Sequence, residues 1–144
     1  MGLKQQINPG VNFTPAYQAS GTPWCTTLTD VTTTPVRINF PYVTRWVAIS
    51  ARDGNQGAVR VGFSEHGVEA TVTANYFLLE LAADDTGDDR YNGQTPRLEL
   101  RCKSIWVRGD TTTIGRISII AGLTGIMQGS FPILTGSEGF KGIG

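Results

Sequence analysis

The chain has 144 residues, which is enough for one domain with its own hydrophobic core. Its 12 basic and 12 acidic residues cancel, so the net charge offers no attraction to nucleic acid or to an anionic membrane, and we expect neither as a partner. Charged residues make up 17% of the chain, a small share that suits a protein packed against neighbours.

The start of the chain carries no apolar run of the kind that a secretion signal needs. No stretch approaches the roughly 20 apolar residues of a membrane span. We therefore expect a protein made in a reducing cytoplasm, where Cys25 and Cys102 remain two free thiols rather than forming a disulfide.

Residues 1–24 predict an N-terminal arm. Prolines and glycines recur along it, and Pro15 in particular is expected to break any regular element. The apolar side chains between these breaks are spaced as anchors for another surface. The anchors that we expect to bind a partner are Val11, Phe13 and Tyr17.

Residues 25–123 predict an all-β core, because apolar residues recur at every second position between turn-forming residues. Short antiparallel strands of this kind form a β-sandwich or jelly roll, with a small barrel as the alternative. Frequent threonines suit exposed faces and edges of the sheets. No helix is expected. The predicted strands cover 36–40, 43–50, 59–63, 76–81, 98–102, 105–108 and 116–123.

The strand over 43–50 is apolar on both faces. Val47 and Ile49 share one face, and Trp46 and Ala48 share the other. Such a strand lies between two layers or beneath a neighbouring subunit, and we expect Trp46 in the core.

Residues 124–144, TGIMQGSFPILTGSEGFKGIG, predict a C-terminal arm. Its glycines disfavour a helix or an ordinary strand, but it is too apolar for a disordered tail. Ordering it costs about 1–2 kcal/mol per residue, which side-chain burial alone does not clearly offset. We expect it to add a strand to a neighbour's sheet, or else to wrap its own domain. The expected partner-binding side chains are Ile126, Met127, Phe131, Ile133, Leu134, Phe140 and Ile143.

This interpretation predicts that deletion of 125–144 leaves a folded core and weakens assembly.

The acidic loop that precedes residue 90 combines four carboxylates and a glycine, and it is an independent candidate for an oligomer contact. Its residues suit calcium but their spacing does not match an EF-hand, and pairing with a neighbour's arginines or simple solvation explains them as well. These carboxylates are Asp84, Asp85, Asp88 and Asp89.

Nothing in the sequence predicts catalysis or a cofactor. His66 is the single histidine, and no nucleophile elbow surrounds any serine. The tripeptide Arg108-Gly109-Asp110 could form an adhesion loop or a plain turn, and we favour the turn.

Two binding functions remain open. A glycan platform could use exposed aromatic rings, and a single-stranded nucleic acid groove could use arginines between aromatics, although zero net charge disfavours the second. The aromatic candidates for a glycan platform are Trp24, Trp46, Tyr91 and Trp106.

Four segments of the core, VRVGFSEHGV, NYFLLEL, LELRCKSIWVRG and GRISIIAGLTGI, together resemble small virion proteins of tailed bacteriophages. The resemblance spans about 59–126 and is greatest to capsid decoration, or cement, proteins. It implies a virion location, no enzymatic activity, a homotrimer, and a major capsid protein as partner. The alternatives are a tail, connector or fibre-base protein, or a glycan-binding sandwich for host adsorption.

Overall fold

The computed structural model describes residues 10–18, 20–69, 74–83, 90–133 and 143. Nearly all regular structure in these residues is β-strand. The elements in chain order are α1 Thr14–Gln18, β1 Thr22–Val31, β2 Val36–Asn39, β3 Tyr42–Asp53, β4 Ala58–Gly62, α2 Glu65–Glu69, β5 Tyr76–Glu80, β6 Ala82–Ala83, β7 Tyr91–Gln94, β8 Ser104–Gly109, β9 Ile114–Met127 and a 3₁₀ turn Gln128–Ser130.

The strands form two antiparallel sheets that pack face to face, which confirms the predicted β-sandwich. Sheet A has the order β1-β9-β3-β7-β6, and sheet B has the order β2-β8-β4-β5. The chain crosses between the sheets at several connections, and at the one between β5 and β6 it passes from sheet B to sheet A through the single buried residue Leu81.

The main core lies between the sheets and follows the alternation of the sequence. Val47 and Ile49 of β3 point inward, and Ile117 and Ile119 of β9 lie beside them. Sheet B contributes buried residues from β4 and β8, among them Val107. Each of these strands covers the core with one face and presents the other to the outside, as the two-residue period predicts.

A second, smaller core lies at one end of the sandwich, and we call it the terminal core. Its buried members come from the start of β3, the end of β9 and the residues after the 3₁₀ turn. Side chains of the N-terminal segment pack against them. The members of the terminal core are Val43, Ile126 and Phe131, with Val11, Ala16 and Tyr17 packed against them.

The sheet extends into both predicted arms. Residues 22–24 belong to β1, and residues 124–127 belong to β9. The Thr124 hydroxyl donates a hydrogen bond to the Val43 carbonyl oxygen at 2.7 Å, and the Ile126 N–H donates to the Thr124 hydroxyl oxygen at 3.1 Å. The first bond holds the end of β9 against the start of β3, and the second bridges the glycine at 125 within β9.

The strand predicted over 98–102 is absent, because the chain touches β3 there at separate points. Leu98 forms an isolated bridge with Val47. Farther along, Thr44 bonds this segment with its side chain, which donates to the Leu100 carbonyl oxygen at 2.6 Å and accepts from the Cys102 N–H at 3.0 Å. Between these points the Leu100 N–H donates to the Leu98 carbonyl oxygen of its own segment at 2.9 Å, so the ladder with β3 is not continuous.

The expectation of no helix is also wrong, since two helices of five residues are present. In α1, Pro15 is the second residue rather than a breaker. Proline is tolerated in the first turn of a helix, because its missing N–H would have no intrahelical partner there. Trp46 was expected in the core, but it is partly exposed on the outer face of sheet A, with its indole over Gly122.

None of the helices in the described part of the chain has the length and apolar character needed to cross a membrane.

Candidate binding surfaces

The residues predicted to bind a partner are divided between the protein's own core and its surface. Val11 and Tyr17 pack against Ile126 and Phe131 in the terminal core, so that the two predicted arms contact each other. Ile126 and Phe131 are buried in this chain and offer no surface to a partner while that packing holds.

The other N-terminal contacts strengthen the terminal core. The Tyr17 hydroxyl donates a hydrogen bond to the Val11 carbonyl oxygen at 2.7 Å. The Arg101 guanidinium lies 5.2 Å from the centre of the Tyr17 ring, within the range of a cation–π contact. The helix α1 is thereby fixed to the sandwich through its tyrosine.

Three predicted partner-binding side chains remain on the surface: Phe13, Met127 and Ile133. Met127 is 59% exposed, and it is the cross-strand partner of Tyr42, which is 41% exposed. Ile133 is 72% exposed. The end of the sandwich that holds the terminal core therefore also presents apolar side chains to the outside.

Ile143 contacts its own domain. The Ser64 hydroxyl donates a hydrogen bond to the Ile143 carbonyl oxygen at 2.5 Å and accepts one from the Gly67 N–H at 2.8 Å. A side chain at position 67 would collide with the same carbonyl oxygen. This contact agrees with the alternative that the C-terminal arm returns to its own domain. Leu134 and Phe140 lie outside the described residues.

The four carboxylates of the weak calcium candidate, Asp84, Asp85, Asp88 and Asp89, also lie outside the described residues. Across the described ranges, no group of three or more His, Cys, Asp or Glu side chains is placed to hold a metal ion.

The fold keeps both thiols away from the histidine. Cys25 is exposed on β1 in sheet A, whereas His66 is exposed on α2, which packs beside β4 in sheet B. Cys102 is buried, and its sulfur lies 3.3 Å from the Thr44 hydroxyl oxygen. Burial raises the pKa of the Cys102 thiol to about 11, and the bond from Thr44 only partly opposes this. Both cysteines are free thiols.

The tripeptide Arg108-Gly109-Asp110 is not the plain turn expected from the sequence, because Arg108 and Gly109 are the last two residues of β8 and the chain bends only at Asp110. Asp110 accepts a hydrogen bond from Arg60 Nε at 2.5 Å in a mostly buried ion pair. Arg60 also donates to the Val68 carbonyl oxygen and lies 4.5 Å from the centre of the Tyr76 ring. The carboxylate that an adhesion receptor would need is already engaged.

The four aromatic candidates do not form one platform. Trp24 packs edge-on against Phe40, with ring centroids 5.0 Å apart. Tyr91 packs against the main core. Trp46 and Trp106 lie on different sheets, and each has an arginine 5.9 Å from its ring centre.

The edge of sheet A is a surface that the sequence alone does not identify. β1 runs for ten residues, Thr22–Val31, and pairs with β9 on one side. In the part of the chain that the structure describes, no strand pairs with its other side. Pro23 near its start and Asp30 near its end are residues that protect a sheet edge, but the stretch 24–29 between them carries no proline and no charge and is open to pairing.

The outer face of sheet A carries a shallow groove, which we call the sheet A groove. Its two adjoining parts have volumes of about 520 Å³ and about 150 Å³. They share Ser50, Ser118 and Gln94. Arg52 and Arg116 line one end, and Ala48, Ile120 and Cys25 line the other.

Arg52 and Arg116 are paired directly across β3 and β9. Residues directly opposite on antiparallel strands have Cβ atoms about 4.5–5.5 Å apart, a separation at which like charges repel. Across the described residues, neither side chain forms an ion pair. Sequence reasoning missed this pair, because the two arginines are far apart in the chain and the register between their strands is not visible in the sequence.

Comparisons with known proteins add little to this description. No family model and no curated protein matches the chain. Among solved structures, the chain is similar to one described as "Bacillus endospore appendages form a novel family of disulfide-linked pili", with 14% sequence identity and a TM-score of 0.33 over 86% of this chain and 100% of that chain. A likeness at this TM-score carries no argument about function.

Proposed function

We propose that the protein is a non-enzymatic structural subunit that joins a larger assembly through the edge of β1. The observation that carries the proposal is the length of this edge. Ten consecutive residues present one side of their backbone without a paired strand in the described structure. Unpaired backbone groups on a long edge are a template for β-strand addition by another chain.

The exposed apolar residues at the end of the sandwich support the same function. Tyr42 and Met127 lie opposite each other across β3 and β9, and both are exposed. Adjacent apolar side chains on a surface favour protein–protein contact, because association removes them from water. They would add a side-chain contact to the backbone pairing of β1.

The assembly that we propose is a bacteriophage capsid, which the protein decorates as a homotrimer bound to the major capsid protein. This part rests on the resemblance of the core segments to decoration proteins. Binding would stabilise the shell by mass action, since a ligand that binds only the assembled state shifts the equilibrium toward it.

Sedimentation of the full-length protein with expanded, DNA-free heads of the encoding virus tests the proposal. We expect saturable co-sedimentation, and analytical ultracentrifugation should give the trimer mass. Absence of binding at saturating protein would contradict decoration.

A pair of matched variants tests the role of the edge. The double variant Thr22→Lys/Thr27→Lys adds two charges to exposed positions of β1. We expect it to reduce binding to heads at least about tenfold, because edge lysines oppose strand pairing. The control Thr111→Lys/Thr113→Lys adds the same charge to the exposed turn before β9 and should bind as the wild type does. Equal binding by both double variants would exclude the edge.

A further inference from the structure

We infer that the sheet A groove is a binding site for an acidic saccharide, with Arg52 and Arg116 as the carboxylate-binding pair. This inference is separate from the proposed assembly function, because it concerns side chains on the outer face of sheet A rather than the unpaired backbone of β1. Arg52 and Arg116 face each other without an ion-pair partner among the described residues. A carboxylate placed between them would relieve their repulsion and accept hydrogen bonds from both guanidinium groups.

The rest of the lining is suited to a polyol. Ser50 and Ser118 occupy the next cross-strand position along the groove, and Gln94 is paired with Ser50 from β7. Hydroxyl and amide groups both donate and accept hydrogen bonds, as the hydroxyl groups of a sugar require.

Beyond the serines, the groove becomes apolar. Ala48 is paired with Ile120, which is 48% exposed. Ile120 is four positions after Arg116 along β9, which corresponds to about 13 Å in a strand. The groove therefore offers a charged end, a hydroxyl-binding middle and a flat apolar end over the length of a short oligosaccharide. The C–H face of a sugar ring can pack on the apolar end.

The location favours a saccharide over an acidic peptide. β9 is paired with β1 on one side and with β3 on the other, so its backbone groups in the floor of the groove are already used. An extended peptide could not add itself as a strand there and would lose the main-chain hydrogen bonds that such peptides use for affinity. A saccharide depends on side-chain groups, which the groove provides.

The test is a titration of the ¹⁵N-labelled full-length protein with tetragalacturonate, followed by NMR. We expect saturable shifts of the amide signals of Ser50, Arg52, Arg116 and Ser118. The same oligosaccharide in its methyl-esterified form has no carboxylate charge and should bind at least about tenfold more weakly, since it cannot pair with the arginines. Equal binding of the ester, or shifts confined to another face, would overturn the inference.

Two further probes distinguish the class of ligand. Short poly-L-glutamate tests an acidic polypeptide, and inorganic phosphate tests a simple anion site. Either probe binding at this groove as tightly as tetragalacturonate would overturn the assignment to a saccharide.

Matched variants link binding to the arginine pair. Arg52→Gln and Arg116→Gln should each weaken tetragalacturonate binding about fivefold, the scale of one partly exposed ion pair. Each change removes a like-charge contact, so both variants are expected to fold, which thermal denaturation checks. Arg37→Gln changes an exposed arginine on sheet B and should leave the affinity unchanged. Loss of affinity in Arg37→Gln equal to that in the groove variants would indicate nonspecific charge attraction and overturn the inference.

Discussion

The indole of Trp46 lies directly over Gly122, its cross-strand partner on β9, and occupies the space that a side chain at position 122 would need. Gly122→Ala should therefore force the indole to move, and overpacking of this kind costs about 1–3 kcal/mol of unfolding free energy. Urea denaturation measures the loss. Gly129→Ala is the control, because no atom lies within 4 Å of the added methyl group. A smaller loss for Gly122→Ala than for Gly129→Ala would contradict the packing described here.

The terminal core predicts that Phe131 stabilises the domain. Phe131→Ala should lower the free energy of unfolding by about 3–5 kcal/mol, the range for replacement of a buried phenylalanine by alanine. Because α1 residues pack against Phe131, amide hydrogen exchange in Thr14–Gln18 should accelerate in the same variant. Ile133→Ala removes an exposed side chain and should change the unfolding free energy by less than about 0.5 kcal/mol. Unchanged exchange in α1 would show that the arm does not depend on this contact.

The packing of the terminal core shows that the deletion of 125–144 suggested by the sequence must start later in the chain. Removal of residues 125–144 would take away Ile126 and Phe131, both buried in the terminal core. A deletion that begins at Leu134 keeps these side chains and tests the remaining arm without unfolding the end of the sandwich.

The ion pair between Arg60 and Asp110 should stabilise the fold more than an exposed pair does. Asp110→Asn is expected to cost about 1–2 kcal/mol, since it removes the charge from a mostly buried hydrogen-bonded pair. Glu99→Gln disrupts the pair with Arg97, in which both side chains are more than half exposed, and should cost about 0.5 kcal/mol or less. Thermal and urea denaturation of the two variants provide the comparison, and equal losses would contradict it.

The two cysteines should differ in reactivity. In the native protein at pH 8, a disulfide reagent should modify Cys25, which is exposed, and leave Cys102, whose thiol pKa is raised to about 11. In denaturant, the reagent should modify both thiols. In the native Cys25→Ser variant, we expect no thiol to be modified, because only the buried Cys102 remains. Rapid native labelling of Cys102 would contradict its burial.

Because the pKa of the Cys102 thiol is raised, the unfolding free energy should depend on pH. Above a pH of about 8.5 the thiol ionises in the unfolded chain but stays protonated in the folded one until about pH 11. The unfolded state therefore binds fewer protons in this window, and the unfolding free energy should fall as pH rises through it. Cys102→Ala should show a shallower decline.

The sequence predicts the inner faces well because burial imposes a period of two on each strand. Val47, Ile49, Ile117 and Ile119 all lie on the faces expected from alternation. The same rule wrongly predicts a strand over 98–102, because this segment alternates like a strand but pairs with β3 by backbone bonds only at separate points, with the Thr44 side chain bonding it between them.

The candidate site was harder to predict than the fold. The opposition of Arg52 and Arg116 depends on strand register, which arises from distant contacts. The position of Ile126 was also not predicted, because the glycine-rich composition after residue 124 disfavours a strand. Ile126 nevertheless lies in β9 and is buried in the terminal core. The side-chain hydrogen bonds of Thr124 make this possible, and no local periodicity reports them.

The position of β9 has a consequence for how the chain folds during synthesis. β9 lies between β1 and β3 in sheet A, yet among the strands of the described residues it is the last that the ribosome makes. β1 must therefore wait, unpaired, until β9 has emerged, because its partner residues follow it by more than 80 positions. Pairings over such distances form slowly and leave strands open to capture by other nascent chains. Chaperone demand and aggregation during overexpression should therefore depend more on β1 than on the hairpins of sheet B.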